Sequence, residues 1–232
     1  SRFDAVFDEA GRHGMKVVPT LFAQTPPGWM RKVSGCQSVG DLDDAAYWAR
    51  ACDYIRRLVT RWRGHPALDS YIPWNEASME VPLNASTLPQ YREFLRRKYG
   101  GDIARLNAAY YPQFSSFDEV GLCDEPGVVG VIIPDRVSLI DWNEFAVEYL
   151  VGKLAAIATE IRALDPAHPV HVNPHQMLKT MAASSQSIWR EADWMDFMGN
   201  SSHPASHMIR WEPARFPQAL AMINSLTRSA TR

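Results

Sequence analysis

Asn75 and Glu76 stand side by side at the end of the apolar run "YIPW" (71–74). A carboxylate there either accepts hydrogen bonds that anchor a loop, or points into a cavity and exchanges a proton with a bound molecule. The neighbouring amide carries two donors and one acceptor group, which suits it to orienting a polar ligand. The other reactive side chains show less pattern. The seven histidines contain no HExxH or comparable pair, so metal ligation is not indicated. On position alone, His175 and His203 fit local hydrogen bonding better than a direct role. Cys36, Cys52 and Cys123 are far apart with no CxxC, so neither a disulfide framework nor a zinc knuckle is suggested.

These residues need elements to position them. Phe3, Val6 and Phe7 recur at helical spacing, with Gly11 or Gly14 as the stop, and "MKVVPTLF" (15–22) reads as a buried strand. After the cap region "GDLDD", the spacing predicts a helix over 45–62 that "GHPA" ends. "LDSYIPWN" (68–75) is the next strand. A long Pro-rich insertion over about 77–141 carries helices at "LPQYREFLRRKYG" and "DIARLNAAYY". A helix over 141–164 leads into the strand "VHVN" (170–173). After a short helix, "WMDFMGN" (194–200) is the last strand, and a helix follows from about Pro217. Alternating helices and continuously apolar strands predict an α/β fold with parallel strands. A closed (β/α)8 barrel and an open doubly wound sheet both give this alternation, but GxGxxG and GxxxxGK[ST] are absent.

In a β/α barrel the functional residues project from the C-terminal ends of the strands. Those ends carry Phe22, Gln24 and Trp29; Asn75 and Glu76; Asn173 and His175; and Asn200, Ser202 and His203. Hydrogen-bonding groups beside flat aromatics suit a carbohydrate, which has hydroxyls on its edges and an apolar face. Trp29 and Trp74 fit the core equally well. The 24 basic and 26 acidic residues are interspersed at a net charge of −2, without the basic excess of a nucleic-acid footprint. No run approaches the ~18 apolar residues of a membrane span, and no signal peptide is evident. "NAS" (84–86) is a chance-level glycosylation sequon.

A family resemblance follows from longer stretches. The Asn-Glu pair preceded by "RWRGHPALDSYIPW" resembles the acid/base segment of clan A glycoside hydrolases, and the fuller match is to family 42, the β-galactosidases. "KVVPTLFAQTPPGWM" resembles that family's third strand and loop. "YREFLRRKYGGDIARLNAAYYPQFSSFDEV" (91–120) resembles its insertion, "FAVEYLVGKLAAIATEIRALDPAHPVHVN" (145–173) its next helix and fifth strand, and "WMDFMGNSSHP" its sixth. The resemblance implies that residues 1–232 form a partial TIM-barrel catalytic domain, about strands three to six, with the insertion after strand four.

It also implies roles. Glu76 is expected to be the general acid/base of retaining hydrolysis, and Asn75 to bind the sugar 2-hydroxyl, with Trp29, Asn173 and His203 as further substrate-binding residues. The nucleophile is expected to be a Glu beyond Arg232, so that the chain alone is inactive. Trp74 stands where the family often has Asp, Tyr110 where Trp is common, and His203 where Tyr is usual. "ASMEVPLN" lacks the Cys of the family's zinc-bearing members, so no metal or cofactor is implied. The resemblance further implies a cytoplasmic enzyme, homo-oligomeric when full length. Another β-glycoside as substrate, and a non-catalytic sugar-binding barrel, remain alternatives.

Overall fold

A computed structural model describes residues 2–22, 42–111, 113–121, 136–174, 185–202 and 212–230. In chain order the described elements are α1 (Arg2–Arg12), β1 (Thr20–Phe22), α2 (Ala45–Trp62), β2 (Ile72–Trp74), α3 (Thr87–Lys98) and α4 (Ile103–Ala109), then α5 (Arg136–Leu164), β3 (His171–Val172), α6 (Ile188–Glu191), β4 (Phe197–Met198) and α7 (Phe216–Ala230). Short 3-10 turns lie at Phe117–Glu119 and Pro213–Arg215.

Helix ends follow from local chemistry. Asp44 caps α2 by accepting the Tyr47 N–H at 2.6 Å, as the acidic run before that helix leads one to expect. At the end of α1, Gly14 takes φ +66°, Gly14 N–H reaches Gly11 O at 3.1 Å and Met15 N–H reaches Ala10 O at 2.8 Å. This left-handed C-terminal cap satisfies carbonyls that the helix leaves over.

The chain divides into two compact units: Ser1–Ser78 with Val151–Met181 and Gln186–Arg232, and Met79–Leu150 with Ala182–Ser185. In the first unit β1 pairs in parallel with β2, and β3 with β4. A parallel bridge between Tyr71 and Val170 joins the pairs, through Tyr71 N–H to Pro169 O at 2.8 Å and His171 N–H to Tyr71 O at 3.0 Å. The strand order is therefore β1-β2-β3-β4, each strand beside its successor. A doubly wound sheet reverses its order part-way, whereas a barrel wall runs in sequence, so the fold is that of a partial (β/α)8 barrel.

The strands are shorter than the apolar runs predict. Pro19, Pro73 and Pro169 offer carbonyls but no N–H, so the ladder is interrupted, and Val17 keeps only an isolated bridge to Leu68. Strand register assigns the faces. Leu21, Tyr71, Val170 and Val172 share one face and are all buried. Thr20, Phe22, Ile72, Trp74, His171, Asn173 and Phe197 share the other, which carries the candidate site.

The second unit is built on helices α3, α4 and the first part of α5. Its aromatic core includes Tyr91, Phe94 and Phe145, with Tyr91 and Phe145 ring centroids 5.4 Å apart. Asp141, 1% exposed, accepts from Lys98 Nζ at 2.7 Å and from the Tyr99 and Tyr110 hydroxyls at 2.8 Å each. Gly100, at φ +67°, terminates α3 directly after Lys98 and Tyr99 have turned inward. The "KYGG" stretch thus supplies two ligands to a buried carboxylate and the reversal that follows.

Candidate active site

Past Trp74 the strand alternation stops, and Glu76 takes φ +48°, a left-handed conformation rare for a side chain of this kind. Something must hold it there. Asn173, just beyond β3, accepts the Glu76 N–H on Oδ1 at 3.2 Å. Its Nδ2 donates to Asn75 Oδ1 at 2.8 Å and to Ser201 Oγ at 3.0 Å. Behind the pair, Gln186 Nε2 donates to Ala77 O at 2.6 Å and fixes the chain as it leaves the site. Three successive strand ends therefore meet at one point, with a half-buried carboxylate and two amides.

The wall beneath is aromatic. Trp74, 1% exposed, lies against Phe22 with centroids 4.8 Å apart, which places Trp74 in the core. His171 stacks on Phe197 at 4.2 Å, and burial pushes its pKa below the ordinary imidazole value. Neither of its ring nitrogens, nor Trp74 Nε1, has a hydrogen-bond partner among the described residues. Gly199 is required where it stands: its N–H reaches Val172 O at 2.7 Å, and a Cβ there would lie 2.8 Å from that oxygen.

Asn75, Glu76 and Asn173 are thus brought together as their strand-end positions predict, while Trp29 and His203 lie outside the described residues, as do Gln24 and His175. Asn200 and Ser202 turn to each other, Ser202 Oγ donating to Asn200 Oδ1 at 2.8 Å. Tyr110 belongs to the second unit, where its hydroxyl serves Asp141. Asp196 accepts the Val170 N–H at 2.7 Å and Arg162 at 3.0 Å, at the start of β4, the end of the strand remote from Asn173 and Ser201. Sequence reasoning missed Ser201 and Gln186. The run "GNSSHP" offers adjacent amide and hydroxyl groups, but only the backbone shows which one faces Asn173. Among the described residues no group of three or more His, Cys, Asp or Glu is placed to hold a metal, and no helix is long and apolar enough to cross a membrane.

Known proteins share this arrangement of elements. The model of glycoside hydrolase family 42, described as beta-galactosidase, matches residues 33–232. The beta-galactosidase Pbg of Clostridium perfringens is 27% identical over 162 residues, covering 66% of this chain and 22% of its own length. The cold-adapted β-galactosidase of a Rahnella species superposes with a TM-score of 0.84 at 18% identity, over 100% of this chain and 35% of its own. Gan42B, a family 42 β-galactosidase of G. stearothermophilus, does so at 0.81 and 21%, over 99% and 36%. The chain spans between about a fifth and two fifths of the length of these relatives.

Proposed function

Because the chain belongs to glycoside hydrolase family 42, we propose that it carries the acid/base half of a retaining β-galactosidase site, with Glu76 as the proton donor. The observation that supports this most is the hold on Glu76 at the C-terminal end of β2, where Asn173 fixes its backbone and Asn75 beside it. In the first step Glu76 protonates the glycosidic oxygen while a second carboxylate, about 5 Å away, attacks the anomeric carbon. In the second step Glu76, now ionised, takes a proton from the water that releases the sugar. Asn75 hydrogen-bonds the sugar 2-hydroxyl, a contact that strengthens in the transition state. This chemistry runs on two carboxylates and water and calls for no cofactor.

The second carboxylate is assigned, through the family resemblance, to a Glu at the end of a seventh strand following residue 232. The substrate is a carbohydrate, and a terminal β-galactoside is the class that the relatives' names support. Trp29 and His203 as sugar contacts, residues 1–232 as one partial catalytic domain with an insertion over about 77–141, a cytoplasmic location and homo-oligomeric assembly complete the proposal.

Glu76→Gln in the natural polypeptide that contains residues 1–232 tests it. Loss of the acid lowers kcat/KM about 100- to 10,000-fold on galactosides with poor leaving groups, and far less on dinitrophenyl galactoside, whose leaving group needs little protonation. An equal loss on both substrates counts against an acid role. Unchanged galactose binding without turnover in the wild type favours the sugar-binding alternative.

A further inference from the structure

We infer that Asn173 is a positioning residue that decides which end of the Asn75 amide is offered to the substrate, with Ser201 completing the clamp. The inference rests on the glycosidase reading above for its substrate, but on hydrogen-bond polarity alone for its geometry.

One donor in the cluster cannot be reversed. The Glu76 backbone N–H points at one branch of the Asn173 amide, at 3.2 Å. That branch must be the oxygen, because a nitrogen there would set donor against donor. The other branch is therefore Nδ2, and both of its hydrogens are committed, one to Asn75 at 2.8 Å and one to Ser201 Oγ at 3.0 Å. The Asn75 atom that receives the first must in turn be Oδ1. Asn75 consequently presents Nδ2, a donor, on the side away from Asn173. Polarity is passed from the Glu76 backbone through Asn173 to Asn75, and the left-handed turn at Glu76 is what aims that N–H at Asn173.

Asn173 has its donors spent on protein and keeps one acceptor lone pair, so its part in catalysis runs through Asn75 and Glu76. The substrate hydroxyl that meets Asn75 is read as an acceptor, which selects sugars carrying an oxygen next to the anomeric carbon in the plane of that amide. Ser201, which no sequence pattern marks, keeps the second Asn173 hydrogen satisfied and so stops the amide from rotating out of this state.

Asn173→Asp separates a positioning role from a merely structural one. The shape and the acceptor for Glu76 N–H remain, but two acceptors now face each other and Asn75 turns its nitrogen toward the new carboxylate. The assay compares kcat/KM for an aryl β-galactoside and its 2-deoxy analogue in the natural polypeptide containing residues 1–232. In the wild type, deleting the 2-hydroxyl costs about 100-fold or more. In N173D the 2-hydroxyl meets an acceptor in place of a donor and that cost shrinks, with the loss on the parent galactoside in kcat rather than KM. Equal proportional losses on both substrates overturn the inference. Amide hydrogen exchange in the same polypeptide reads the clamp without turnover: Asn173→Ala speeds exchange at Glu76 at least about tenfold, while N173D leaves it slow. Unchanged exchange in N173A also overturns the inference. A wild type inactive on galactosides with these exchange results intact counts against the substrate reading and leaves the clamp standing.

Discussion

Replacing Glu191 by Gln should remove most of a pH dependence of folding that this one side chain creates. Glu191 closes helix α6 at 2% exposure, and its Oε2 has no hydrogen-bond partner among the described residues. Burial outweighs the Ser187 backbone contact and raises its pKa from an ordinary 4.5 to about 8. Between those values the folded chain keeps a proton that the unfolded chain releases, so stability is highest below 4.5 and falls as the pH rises toward 8. Each tenfold difference in proton affinity between the folded and unfolded carboxyl is worth about 1.4 kcal/mol, which amounts to about 3 kcal/mol at pH 7 and about 5 kcal/mol once the folded carboxyl has ionised. Glutamine has the same shape and never ionises. Chemical unfolding of both variants at pH 5, 6, 7 and 8 should show the Gln variant gaining on the wild type at every step, by about 2 to 3 kcal/mol between pH 5 and pH 7. Parallel pH profiles for the two proteins would sink this expectation, since they would mean that the carboxyl is ionised and solvated in the folded state.

Other substitutions probe the frame around the site. Gly199→Ala forces a methyl against Val172 O, 2.8 Å from where its Cβ would stand. It should cost about 1 to 3 kcal/mol in thermal or chemical unfolding, and perturb the NMR signals of Asn173 and Ser201 more than those of α3. Lys98→Met strips the cation from the buried Asp141 carboxylate and leaves it two tyrosine hydroxyls. The expected loss is about 2 to 3 kcal/mol by denaturant titration, and a further Asp141→Asn change should recover part of it.

Legibility in the sequence varies with the kind of force at work. Helix α2 is readable to the residue over 45–62, because helical spacing and the Asp44 cap are local signals. Helix α5 is read from 141 in the sequence but begins at Arg136, five residues earlier. The apolar runs place the strands but overstate their length, because a run apolar on both faces has no period, and the prolines that interrupt the ladder act through missing N–H groups. The order of elements does not decide between barrel and open sheet. The bridge from Tyr71 to Val170 decides it, and that contact spans about a hundred residues.

For the site, strand-end position finds Asn75, Glu76 and Asn173 without any knowledge of their contacts. It does not find Ser201 or Gln186, whose partners lie 28 and 109 residues away and which no spacing rule connects to them. The role of Asn173 is legible in the sequence only as a polar group near a pocket. Its donors and acceptor, once counted, assign it to holding Asn75 and Glu76.

Chemical rescue of Glu76→Ala in the natural polypeptide, using dinitrophenyl β-galactoside with added azide, probes the acid/base assignment at the reacting atoms. If Glu76 is the acid/base of a retaining enzyme, azide enters the space left by the carboxylate and restores turnover, and the product is β-galactosyl azide with its configuration kept. Absence of rescue in a folded variant, or an α-configured azide, would contradict that role.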